Sequence, residues 1–227
     1  MKQPVVDYKS FRLSRVNEPA YAHIKLLLGW VVYFALYFLT ENLIPAEACH
    51  VVHCSLDDRI PFNEYFVIFY ISWFALIVFS LLYFFLYDIQ SFRDLSVFIM
   101  ITQAVAMAVY IAWPSIQMLR PASFERRNLC TWILGFLYSF DTPTGVCPSL
   151  HVAYSLGIGS VWLKRKEASP VWKAVLVVWL TLICLSVMFV KQHSALDVFT
   201  ALPLGALAEY LVFRGRYYPP KKKASTA

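Results

Sequence analysis

Charge is what this chain has least of. Asp, Glu, Lys and Arg make up 15% of its 227 residues, where soluble domains run nearer a quarter. With 59% hydrophobic residues and a mean hydropathy of +0.58, an ordinary soluble domain is excluded and the bilayer becomes the expected solvent. Strict apolar–polar alternation is missing too, which excludes the strands of a closed barrel and leaves helices as the spanning element. No internal repeat is present. The first twenty residues hold no apolar core and no small-residue cleavage site, so no cleavable signal is expected. Polar residues at mid-span are few, which argues against a transporter, and the presence of His151, His193 and Asp197 argues against a non-enzymatic scaffold with a decayed site. The net charge of +6 does not point to nucleic acid, because membrane proteins collect Lys and Arg on one face.

Six apolar stretches are present: Ile24–Thr40, Glu64–Tyr87, Leu95–Trp113, Pro148–Leu163, Val171–Val190 and Leu196–Phe213. Each is near the ~20 residues that cross ~30 Å of hydrocarbon, the fourth being short. The expected fold is an all-α integral membrane protein with six transmembrane helices in a single domain, 1–227. Within it, 1–23 forms a cytoplasmic segment, 24–213 the helical core and 214–227 a basic cytoplasmic tail. Lys221, Lys222 and Lys223 suit anionic headgroups or simply fix topology. Leu129–Phe140 is apolar but too short to span, and reads as a surface-lying or re-entrant helix.

With both termini cytoplasmic, fifteen of the twenty basic residues fall inside. The outer segments then hold Arg59, Arg120, Arg126, Arg127 and Lys191. Positive charge stays inside, so this orientation is expected, with the plasma membrane as the location.

It carries two polar islands to the outer face: Cys147-Pro148-Ser149-Leu150-His151 and Lys191-Gln192-His193-Ser194-Ala195-Leu196-Asp197. His193 and Asp197 are one helical turn apart and share a face. A carboxylate on one imidazole nitrogen fixes the tautomer and leaves the other as nucleophile or base. The bland alternative is a pair satisfying its own hydrogen bonds at a helix entrance. Pro148 and Ser149 open the fourth span, and a helix start favours anions such as phosphate. His151 there is placed to give a proton to a leaving oxygen; otherwise it is an ordinary interfacial histidine. Arg120 offers a bidentate phosphate contact or a snorkelling surface charge. Arg126 and Arg127 are weaker candidates for the same role.

Arg120-Pro121, then Pro148-Ser149-Leu150-His151, then Ser186 with His193 and Asp197 resemble the three-part signature of the type-2 phosphatidic acid phosphatase family. That pattern reads Lys-x6-Arg-Pro, Pro-Ser-Gly-His and Ser-Arg-x5-His-x3-Asp. The resemblance covers Arg120 to Asp197, and the six-span layout is similar. It implies a lipid phosphate or pyrophosphate substrate, a phosphohistidine on His193, orientation by Asp197, a proton from His151, and phosphate held by Arg120 with no metal or cofactor. The departures are specific. Trp113 stands where the family has lysine, Val187 where it has arginine, and Leu150 where it has glycine. Lys191 is the expected substitute cation. Leu150 is similar to the inositol phosphorylceramide synthase branch, which implies headgroup transfer as the alternative reaction.

Cys49-His50-Val51-Val52-His53-Cys54 offers zinc ligands, though the histidines lie inside the cysteine pair. An oxidising outer face favours a disulfide instead, with Cys130 and Cys147 as other partners. Cys184 reads as core. Glu209, in the last span, reads as paired within the bundle or snorkelling.

Overall fold

The computed structural model describes residues 3–218. Its helices are α1 Leu26–Leu43, α2 Val67–Tyr87, α3 Ile89–Ala112, α4 Leu129–Phe140, α5 Leu150–Lys164, α6 Pro170–Phe189 and α7 Ala195–Phe213. One small exception amends the all-α expectation. Strand β1, His50–Val51, pairs in parallel with β2, Ser115–Ile116. It ties the loop after α1 to the loop after α3. The expected anchor at Lys221–Lys223 lies outside the described residues.

Among the described residues, five stretches are long and apolar enough to cross a membrane: Ala22–Leu39, Glu64–Tyr87, Ile89–Ala112, Pro170–Phe189 and Ala195–Phe213. The expected fourth span is different. Helix α5 has 15 residues, about 22 Å of helix, short of the ~30 Å hydrocarbon thickness. Its position explains why this is tolerable. It packs against α2, α3, α6 and α7, and most of its length is buried in protein. A helix surrounded by other helices needs neither the length nor the continuous apolar surface of one facing lipid. Helix α1 is the opposite case, packing mainly on α3 and exposing Leu28, Val31, Phe34 and Phe38.

The helix boundaries follow capping chemistry. Helix α3 begins at Ile89, six residues before the expected Leu95, because the Asp88 carboxylate accepts the Ser91 N–H at 3.1 Å. Its second turn is supported by an ion pair from Arg216 to Asp94 at 2.5 Å. Ser169 caps α6, with Pro170 in the first turn. Asn128 and Thr131 form a capping box on α4. Near this same end of the bundle as Asp88, Arg165 pairs with Asp88 and Lys164 with Glu209 at 2.5 Å. Glu209 is therefore paired within the bundle. Cys184 lies partly buried against the core.

All five cysteines are free, which corrects the expected disulfide. Cys49 and Cys54 flank a stretch containing β1, and extended chain advances about 3.3 Å per residue, carrying the two thiols apart. The Cys49 thiol meets the Pro45 carbonyl at 3.6 Å. The zinc alternative also fails locally: His50 stacks on Trp113 with centroids 5.2 Å apart, and His53 bonds Asp58 at 2.8 Å. Among the described residues no group of three or more His, Cys, Asp or Glu side chains is arranged to hold a metal ion.

Close packing of α5 on α3 depends on Gly157. A Cβ there would stand 2.6 Å from the ring of Phe98, itself 1% exposed and unable to swing away. Gly157→Val is expected to cost about 1–3 kcal/mol through overpacking, read as a lower unfolding midpoint in detergent.

Candidate active site

Both islands and the ends of α3 and α6 meet at one end of the bundle. The Ser149 N–H donates to the Asp197 carbonyl at 3.0 Å, joining the starts of α5 and α7. The Tyr110 hydroxyl on α3 donates to the Pro148 carbonyl at 2.7 Å.

The second island is two helix ends back to back. Helix α6 closes in a Schellman arrangement: Lys191 N–H donates to the Met188 carbonyl at 3.1 Å and Gln192 N–H to the Val187 carbonyl at 2.9 Å. Lys191 occupies the left-handed position of that motif, with φ +53, where glycine is usual. Helix α7 then opens at once. Ser194 and Asp197 form a capping box. One oxygen of Asp197, Oδ2, accepts from the Ser194 N–H at 2.9 Å and contacts His193 Nδ1 at 3.2 Å. A carboxylate only accepts here, so Nδ1 carries the proton and Nε2 keeps its lone pair. Asp197 is fully buried.

His151 rises from the first turn of α5. Its ring lies between Tyr70 and Trp73, with centroids at 4.5 and 4.3 Å, and 5.8 Å from the ring of His193. Its Nε2 is buried and has no partner among the described residues, and neither has the fully buried Ser149 hydroxyl. Helix α5 has no side-chain cap. Buried polar atoms left unpaired cost about 1–3 kcal/mol each. Two of them at an uncapped helix start are what an anionic ligand would satisfy.

The structure brings His151, His193, Asp197 and Ser149 together. It places the expected cations differently. The Arg120 guanidinium donates to the carbonyls of Tyr138 at 3.2 Å, Asp141 at 3.0 Å and Thr142 at 3.3 Å, and to Gln192 Oε1 at 2.5 Å. It also lies over the Tyr138 ring at 4.7 Å. It thus binds the C-terminal end of α4, where positive charge is favoured, to the residue before His193. The Lys191 ammonium does not turn to the histidines; it donates to the carbonyls of Asp57 at 3.0 Å and Ile60 at 2.6 Å. Arg126 pairs with Glu64 at 3.2 Å, and Arg127 is exposed. Val187 is fully buried.

Sequence reasoning missed Asp57, Asp141 and Gln192. Asp57 accepts from Ser194 Oγ at 2.6 Å, Ala195 N at 2.7 Å and Cys54 N at 2.8 Å. Burial raises its carboxyl, but the bonds from Ser194, Ala195 and Cys54 outweigh burial and hold it below its ordinary value. Asp141 accepts from Gln192 Nε2 at 3.1 Å and Tyr70 OH at 3.4 Å. Burial pushes it up against the opposing pull of His193 and Arg120. Apart from Cys54, three residues from Asp57, these partners lie 51 to 138 residues apart in the chain, beyond any local spacing signal; only Gln192, inside the second island, was within reach of a motif reading.

Comparison with models of known families, with curated proteins and with solved structures found no match.

Removing Arg120 strips four oxygen atoms of one shared donor. Arg120→Ala is expected to lower stability by about 2–3 kcal/mol, as for lost bonds to a charged group, seen as a reduced thermal midpoint. Arg120→Lys should recover only part, because a point charge does not span the fork.

Proposed function

We propose that this chain is a membrane-embedded phosphoryl-transfer enzyme acting on a lipid phosphate or pyrophosphate through a phosphohistidine. The single observation that carries the reading is the meeting of two imidazoles, 5.8 Å apart, one backed by a buried carboxylate and the other beside an uncapped helix start. The resemblance to the type-2 phosphatidic acid phosphatases supplies the reaction class.

In this reading the Nε2 lone pair of His193 attacks phosphorus as the bond to the lipid oxygen breaks. His151 gives its proton to the departing oxygen, and Asp197 balances the charge that grows on His193. The phosphoryl oxygens lie against the start of α5, the Ser149 hydroxyl and Arg120, which exchanges its longest contact, at Thr142 (3.3 Å), for one of them. Water, deprotonated by His151, then attacks phosphorus; the P–N bond breaks and phosphate leaves. A lipid alcohol in place of water gives headgroup transfer. Leu150 favours that second reading, since it puts a half-buried apolar side chain at the helix start, where a second lipid chain would lie.

We read α5 as a sixth span, with both termini cytoplasmic and the site at the outer face of the plasma membrane. Fifteen of twenty basic residues then lie inside. Helix α4 exposes Leu129, Trp132, Phe136 and Phe140 at helical spacing, the face an interfacial helix lays into lipid. Cysteine-accessibility labelling tests the orientation: the 114–147 loop should react from outside and the tail only after permeabilisation. A tail labelled in intact cells would reverse it.

Purified protein offered a panel of lipid phosphates, with free phosphate and new lipid both measured, tests the activity. His193→Ala should abolish turnover. His151→Ala should slow it by about 10²–10⁴-fold, the usual loss of a general acid, with less effect on substrates having good leaving groups. Full activity in His193→Ala would refute the assignment.

A further inference from the structure

We propose that the loop between α1 and α2 is a latch on the nucleophile, with Asp57 and Lys191 as positioning residues for the His193–Asp197 pair. Three observations meet here. First, Lys191 sits at φ +53, a conformation that disfavours any residue with a Cβ. Glycine would serve the backbone better, so the side chain must offset that disfavour. It does so with its ammonium, which donates to the Asp57 and Ile60 carbonyls at 3.0 and 2.6 Å. Lys191 is 8% exposed, so these bonds are sheltered from water.

Second, the Asp57 carboxylate reaches the same helix junction from the other side. It accepts the Ser194 hydroxyl at 2.6 Å and the Ala195 N–H at 2.7 Å. Ser194 is the residue whose N–H shares Asp197 Oδ2 with His193. A shift of Ser194 therefore moves the carboxylate that fixes the His193 tautomer. The loop grips the residue three before Ser194 through one arm and Ser194 itself through the other, separated only by Gln192 and His193.

Third, the two helix starts differ. At α7 the N–H groups of Ser194, Ala195 and Leu196 are taken by Asp197, Asp57 and Ser194 Oγ. That start already holds its anion, and the anion belongs to the protein. The start of α5 has no side-chain cap. By occupying α7, Asp57 leaves α5 as the place where a substrate anion gains most. This assigns Lys191 away from the phosphate and toward the scaffold that aims the nucleophile.

The test does not need turnover, so its failure is distinguishable from failure of the phosphoryl-transfer reading. In protein labelled with nitrogen-15 histidine, the Nδ1–H proton of His193 should give a downfield resonance, identified by its loss in His193→Gln and its displacement in Asp197→Asn. Lys191→Gly suits the backbone and removes the arm; Asp57→Asn keeps the shape and removes the charge. Each is expected to shift that resonance upfield or broaden it by exchange, while the protein still unfolds cooperatively. If Asp57→Asn does not fold, Lys191→Gly alone carries the test. On an active lipid substrate the same variants should lose up to about 10²-fold in kcat, as for a misaimed reacting group, with KM little changed. An unchanged His193 resonance in Lys191→Gly would overturn the latch. So would a resonance left intact while KM rises, the result expected if Lys191 bound phosphate directly.

Discussion

Helix ends inside a nonpolar bundle leave backbone N–H and C=O groups with no water to bind. The site end of this protein is organised by how each end meets that demand. Helix α4 is closed by the Asn128–Thr131 box at its start and by Arg120 near its last carbonyls. Helix α6 closes on its own backbone through a left-handed Lys191. Helix α7 is satisfied by Asp197 and Asp57. Helix α5 begins without a side-chain cap, beside a buried serine hydroxyl and a histidine nitrogen with no partner among the described residues. Two buried polar atoms without a partner thus fall together at one helix start, next to both imidazoles.

That concentration bears on the cations the family resemblance leads one to look for. Two positions where the family carries basic residues hold Trp113 and Val187 here. Neither can be repaired locally: Trp113 stacks on His50, and Val187 lies in the core with its carbonyl committed to Gln192 and His193 N–H groups. The nearest replacements, Arg120 and Lys191, are held by carbonyl oxygens. A site with fewer free cations must rely more on fixed dipoles, and dipoles act only when they are aimed. The dense hydrogen bonding of Asp57, Lys191, Gln192 and Arg120 is the structural counterpart of that requirement.

Much of this was legible in the chain. Apolar run length located α1, α2, α6 and α7 to within three residues, since burial in lipid leaves a one-dimensional signal; the start of α3 was missed because its first residues are polar. The Ser194–Asp197 box and the His193–Asp197 spacing were legible because both are local to one helical turn. The status of α5 was not, because its short length is compensated by neighbours far away in sequence. Asp57 sits in an Asp57-Asp58-Arg59 run that reads as a solvated turn; its partners Ser194 and Ala195 are 137 and 138 residues distant. Lys191 was read by charge alone, and charge does not reveal which way a side chain leaves a left-handed residue. The disulfide expectation failed for a related reason: compartment chemistry says what thiols could do, whereas the course of the chain decides whether they meet.

The same reasoning explains why the carboxylates around His193 do not cancel the site. Asp197, Asp57 and Asp141 all lie close to the second island, and three free anions there would repel a phosphoryl group. None is free. Asp57 is neutralised by the α7 start and by hydrogen-bond donors that hold its carboxyl below its ordinary value. Asp141 is raised by burial and shares Gln192 and Tyr70, which lowers its cost as a charge in this setting. Asp197 spends its Oδ2 on Ser194 and His193. Asp57 and Asp197 are thus turned toward the α7 start and His193 Nδ1, while the neighbouring α5 start carries no side-chain cap.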